Sequence, residues 1–221
     1  MLAKDIISDT IPTVNLNNTI EELINWMELF KISHLPVVDD TQFLGLVSDS
    51  DLYNCENLKH TLVQEKISLQ KIFVYEYYHI YELVEKIVVE NVSLLPIVDT
   101  ENNFLGSVDL PTVLKALSEL TSVDKTGSIL VLEMPVRDYT LSQIAQIAEN
   151  NNVIILSSYI RYCSDLNKMQ LTLKLNKVEV EDMKRSLERY DYNIVYIFKE
   201  SQVMDEMYQE RLDELLRYMN I

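Results

Sequence analysis

The feature that most constrains this chain is an apolar phrase that occurs twice. His34-Leu35-Pro36-Val37-Val38-Asp39 is followed by Phe43-Leu44-Gly45-Leu46-Val47. Sixty positions on, Leu94-Leu95-Pro96-Ile97-Val98-Asp99 is followed by Phe104-Leu105-Gly106-Ser107-Val108, with one extra residue between Asp99 and Phe104. Leu-Pro, Val-Asp, Phe-Leu-Gly and a closing Val keep their order in both, which chance does not supply; the segment is a duplication.

Each copy has the same pattern of elements. Thr19 or Asn18 can cap a helix whose first turn holds Glu21 and Glu22, with Ile20, Leu23, Ile24, Met27 and Phe30 on one stripe. Ile80, Leu83, Val84, Ile87 and Val88 repeat that spacing. A short buried strand follows, Leu35–Val38 or Leu95–Val98, whose proline suits a strand start. A polar turn leads to a second strand, Phe43–Val47 or Phe104–Val108, and a further helix closes each copy near residues 49–57 and 110–120.

Up to about residue 120 this series resembles a tandem pair of CBS (cystathionine-β-synthase-type) domains, a Bateman module. The match includes the Gly-apolar-apolar-Ser/Thr-x-x-Asp end, present as Gly45-Leu46-Val47-Ser48-Asp49-Ser50-Asp51. The resemblance implies two copies packed sheet to sheet, an adenosine nucleotide (AMP, ATP, NAD or S-adenosylmethionine type) bound between them, and a regulatory role. It also implies that Ser48 binds phosphate, that Asp51 binds ribose, and that Val14 and Pro36 border the base. The second copy departs from the pattern, with Asp109 at the hydroxyl position and Thr112 at the ribose-carboxylate position. An aspartate there repels phosphate, so at most one nucleotide site per chain is expected, in the first copy. Ser-x-x-Asp at a helix start is equally a capping arrangement that needs no ligand.

Residues 121–127 are polar, contain the last glycine of the chain and read as a linker. Beyond them an apolar strand (129–134), a helix bearing Leu141, Ile144, Ala145 and Ala148 with Thr140 as its cap, two strands (153–160 and 169–175), a helix bearing Val180, Met183, Leu187 and Tyr190, and a last strand (192–198) give the order βαββαβ. That is the ferredoxin-like split unit. Its size and place after a CBS pair resemble an ACT domain. The loop Pro135–Thr140 lacks the glycine that amino-acid-binding ACT domains carry, which points to a pairing surface, with Arg137 and Asp138 the residues left to meet a ligand. Val203–Ile221 carries Met204, Met207, Tyr208, Leu212, Leu215, Leu216 and Met219 at helical spacing; a C-terminal helix is expected, laid across a partner subunit or against its own domain. The expected organisation is therefore α/β (α+β): CBS repeats at 1–60 and 61–120, a linker at 121–127, an ACT-like domain at 128–200 and a helix at 201–221.

Charge and composition narrow the function. A net charge of −16, concentrated in the first 120 residues, repels nucleic-acid phosphate and anionic membrane surfaces, so neither is an expected partner. Three glycines are too few for a glycine-rich phosphate loop. Cys55 and Cys163 form no metal or redox motif, and His34, His60 and His79 have no zinc-like spacing, so no metal is expected. The N-terminal residues lack the apolar core of a signal peptide and no run of 18 apolar residues occurs, so a cytoplasmic location is expected. No catalytic motif is found. The expected function is a non-catalytic regulator acting as a homodimer on a protein partner that the sequence does not name. The alternative is a ligand-free dimerisation or scaffolding protein with degenerate CBS sites.

Overall fold

The computed structural model describes residues 1–8, 10–163 and 167–199. Two compact units divide at Leu117/Ser118. The expected helix at 201–221 lies outside the described residues.

In the first unit, helix α1 (Ile20–Phe30) opens on a capping box. Thr19 Oγ1 accepts the Glu22 N–H, and the Glu22 carboxylate accepts the Thr19 N–H, which holds that carboxyl below its ordinary range. The helix buries Ile20, Leu23 and Met27, whereas Phe30, expected on the same stripe, is exposed. Strands β1 (His34–Asp39) and β2 (Gln42–Ser48) form a hairpin, with Asp40 left-handed at its turn, and α2 (Asp49–Tyr53) follows. That helix stops four residues short of the expected end. A short helix α3 (Leu62–Glu65) and a two-residue strand β3 (Val74–Tyr75) lead into the second copy. There, α4 (Ile80–Glu90), β4 (Leu94–Val98), β5 (Phe104–Asp109) and α5 (Leu110–Thr121) repeat the first. Ile80, Leu83 and Ile87 are buried, and Val88, expected beside them, is exposed.

Both prolines sit third in their strands, not at the start. Pro36 lies opposite Leu46 and Pro96 opposite Ser107. Leu46 turns its backbone groups away from β1, to Gln70, so this is a pair that exchanges no ladder hydrogen bonds and proline's missing N–H removes none. The carbonyl of Pro36 instead accepts the N–H of Val14, and Val38 donates to the carbonyl of Val14.

The two copies exchange segments. Residues 1–8 lie on the second copy: Ala3 and Lys4 donate to the carbonyls of Tyr78 and Glu76, and Ser8 donates to Ser107. Residues 58–70 lie on the first: Ile20 and Glu21 donate to the carbonyls of His60 and Leu58, and Leu46 pairs with Gln70 in both directions. The glycine of each Phe-Leu-Gly is where the crossing segment passes. Gly45 has φ +148°, and a Cβ there would stand 2.7 Å from Leu69 Cβ and 2.9 Å from the Gln70 carbonyl oxygen. One buried apolar cluster, from Ala3 to Ala116, runs through both copies.

In the second unit, β6 (Ser128–Pro135), α6 (Leu141–Asn150), β7 (Ile155–Cys163), β8 (Lys168–Leu175), α7 (Glu181–Arg189) and β9 (Asn193–Lys199) form an antiparallel sheet in the order β7-β8-β6-β9. This is the ferredoxin-like βαββαβ arrangement. Met169, Leu171, Leu173 and Leu175 alternate onto the face that α6 and α7 cover, with Leu130, Leu132, Ile144, Ile147, Met183 and Leu187. Ile147 replaces Leu141, and Tyr190 of the expected stripe is also exposed. Thr140 is the N-cap of α6, though its side chain makes no capping bond.

Candidate functional site

The end of β2 is built around Ser48. Its side chain is buried, and its hydroxyl donates to Asp51 Oδ2 at 2.6 Å while accepting the Asp51 N–H at 3.3 Å. With that hydrogen committed to Asp51, Ser50 donates to Ser48 Oγ at 2.8 Å. Ser48 and Asp51 thus form the capping box of α2, and the two residues expected to bind phosphate and ribose are in direct contact.

Beside them lies a cleft of about 510 Å³ to which both copies contribute. The first supplies Ser33, His34, Ser48 and Asp49; the second supplies Asn91 and Ser93, at the loop between α4 and β4. Ser33 donates its N–H to Ser93 Oγ at 3.0 Å, and the Ser93 N–H donates to His34 Nδ1 at 3.2 Å. An Nδ1 that accepts a hydrogen bond places the proton of the neutral ring on Nε2. Burial depresses the His34 pKa below the ordinary imidazole value, and the nearby Asp49 and Asp51 carboxylates oppose that shift without cancelling it.

Of the four residues expected to bind ligand, Ser48 lines this cleft. Asp51 reaches it through Ser48. Val14 and Pro36 are buried and joined to each other through the backbone at 3.0 Å, outside the lining. His34 and Ser93 were missed from the sequence. Their signal was the repeat itself: Ser33 and Ser93 are sixty positions apart, and His34 stands where the second copy has Leu94.

In the second unit, a cavity of about 390 Å³ borders Asp138, Gln143, Lys168 and Tyr192. Its polar groups are largely matched within the protein: Lys168 pairs with Glu133 at 2.9 Å, and the Tyr192 hydroxyl donates to Gln143 at 2.8 Å. Arg137 and Asp138 are exposed and lie 3.5 Å apart. Among the described residues no three His, Cys, Asp or Glu side chains gather closely enough to hold a metal ion, and no helix is long and apolar enough to cross a membrane.

The family model of the CBS domain matches residues 3–56. This chain carries a CBS domain. The second copy repeats its elements, its strand register and its glycine, so the first unit is a CBS pair, and the ferredoxin-like unit follows it in the chain. The chain is 31% identical over 131 residues to an inosine-5′-monophosphate dehydrogenase of Methanocaldococcus jannaschii, a stretch covering 58% of this chain and 26% of that protein. It is 30% identical over 112 residues to a homoserine O-acetyltransferase of Methanosarcina acetivorans, covering 49% and 20%. The chain thus spans about a quarter or less of the length of the curated relatives it matches. Among solved structures, a CBS domain pair/ACT domain protein of Thermotoga maritima aligns with 28% identity over 54% of this chain and 98% of its own, with a TM-score of 0.49.

Proposed function

We propose that this protein is a non-catalytic regulator in which the first CBS copy binds an adenosine-type ligand and a homodimer transmits the binding to a partner protein. The observation that carries this reading is the cleft beside Ser48. It has the size of a small-molecule site and offers hydroxyls and a histidine ring to a ligand. Because Ser33 and His34 come from one copy and Asn91 and Ser93 from the other, a bound molecule touches both, and binding can change how they meet.

Calorimetry with AMP, ATP, NAD and S-adenosylmethionine tests it. At least one is expected to bind, and Asp51→Ala to weaken that binding while leaving the thermal melt cooperative. Sedimentation with and without the ligand then reads the dimer. The capping box supports a second reading. Ser48 and Asp51 already satisfy each other without a ligand, as they would in a scaffolding protein whose CBS sites are degenerate. No heat with any of the four ligands, from a protein that still dimerises, favours that second reading.

A further inference from the structure

We infer that the cleft beside Ser48 takes an adenosine-type ligand without phosphate, either neutral or bearing a positive centre such as a sulfonium, and rejects adenosine nucleotides. The inference rests on the adenosine reading above and narrows it by charge. The described lining contains two carboxylates, Asp49 and Glu90, and neither lysine nor arginine. A nucleotide would bring two or more negative charges within a few ångströms of Asp49, well inside the Debye length of about 8 Å at physiological salt.

The cations nearby are engaged or displaced. Lys71, next to the lining residue Gln70, donates its ammonium to the Leu44 carbonyl. Lys86 pairs with Glu90 at 3.2 Å and offsets that carboxylate, but no described ion pair reaches Asp49. Lys31 is an exposed left-handed cap at the end of α1, and the lining holds its counterpart in the second copy, the uncharged Asn91. His34 does not replace them: its Nδ1 already accepts the Ser93 N–H, so the ring serves a ligand as a neutral Nε2–H donor. What remains are hydroxyls, amides and one imidazole N–H, groups that suit a ribose, a base edge or a thioether and leave a phosphate unneutralised.

Calorimetry on the full chain at 150 mM salt, with S-adenosylmethionine, 5′-methylthioadenosine, AMP and ATP, decides it. S-adenosylmethionine or methylthioadenosine is expected to bind at least tenfold tighter than AMP or ATP, and the double variant Asp49→Asn, Glu90→Gln to narrow that gap several-fold. AMP or ATP binding as tightly as either phosphate-free ligand overturns the charge argument and leaves the adenosine reading standing. If none of these four binds and NAD gives no heat either, the adenosine reading falls and takes this inference with it.

Discussion

In the first copy β2 ends in Ser48, which bridges to Asp51. In the second, β5 ends in Asp109, whose carboxylate accepts the Thr112 N–H at 3.0 Å. Both devices cap the helix that follows, so capping alone does not explain why one copy keeps a hydroxyl and the other has lost it. The differences extend further along the same strands. At the start of the preceding strands, His34 of β1 has Leu94 of β4 as its counterpart. Leu46, fully buried opposite Pro36, is replaced by Ser107 opposite Pro96, and Ser107 Oγ is buried without a hydrogen-bond partner. What is shared is the scaffold: the register, the prolines, the glycines and the crossing segments. A duplicated fold therefore holds its geometry through backbone constraints while the side chains at the strand ends diverge.

The largest effect should come from breaking that shared scaffold. Gly45→Ala places a Cβ against backbone at a φ that L residues rarely adopt, and it pushes the Leu46–Gln70 pairing apart. A loss of about 3 kcal/mol or more is expected, from overpacking and strained backbone together. At Gly106 the added atom meets the Ile7 side chain, which can turn away, so Gly106→Ala should be milder, at about 1–2 kcal/mol. Urea unfolding midpoints at matched m-values measure both. Equal losses would show that the two crossings are equivalent after all.

Serine-to-alanine changes should separate the copies by sign. Ser48→Ala removes the cap of α2 and the partner of Asp51, and should destabilise by about 1 kcal/mol. Ser107→Ala removes a buried hydroxyl that bonds to nothing, and should leave stability unchanged or raise it by up to about 1 kcal/mol. A loss at Ser107 comparable to that at Ser48 would mean that its hydroxyl has a partner, and that the second copy is the less degenerate one.

The scaffold was legible from sequence because its constraints are local and periodic. The spacing of Ile20, Leu23 and Met27, the Thr19–Glu22 box and the alternation from Met169 to Leu175 each depend on a few adjacent residues. What escaped depends on contacts distant in the chain. Residues 1–8 lie on the second copy, and Val74–Tyr75 is a strand because β4 offers it a partner, which no run of two residues announces. Phe30 and Val88 continue the apolar spacing yet lie exposed, because periodicity marks a stripe but not its width. At the site, the Gly-to-Asp motif picked out Ser48 and Asp51, and these do meet. The cleft beside them is made by loops from both copies, and only the fold juxtaposes Ser33, His34 and Ser93.

The smallest expected effect isolates His34, which stands where the second copy has Leu94. Burial disfavours the charged imidazole of His34 in the folded protein and lowers its pKa below that of the unfolded chain. Between the two values the unfolded state binds the extra proton, so stability rises with pH there. The His34 contribution is thus complete above the ordinary imidazole pKa of about 6.5 and declines as the pH falls from there through the folded value. His34→Leu installs the residue that the second copy carries at this position, and should flatten the stability–pH curve below about pH 7 relative to wild type. It also deletes the acceptor of the Ser93 N–H, so its stability at pH 8 should be slightly lower. The readout is the difference in slope between the two proteins, which cancels carboxylates common to both. Parallel curves would show that the ring is solvated in both protonation states. The asymmetry between His34 and Leu94 would then be one of shape and not of charge.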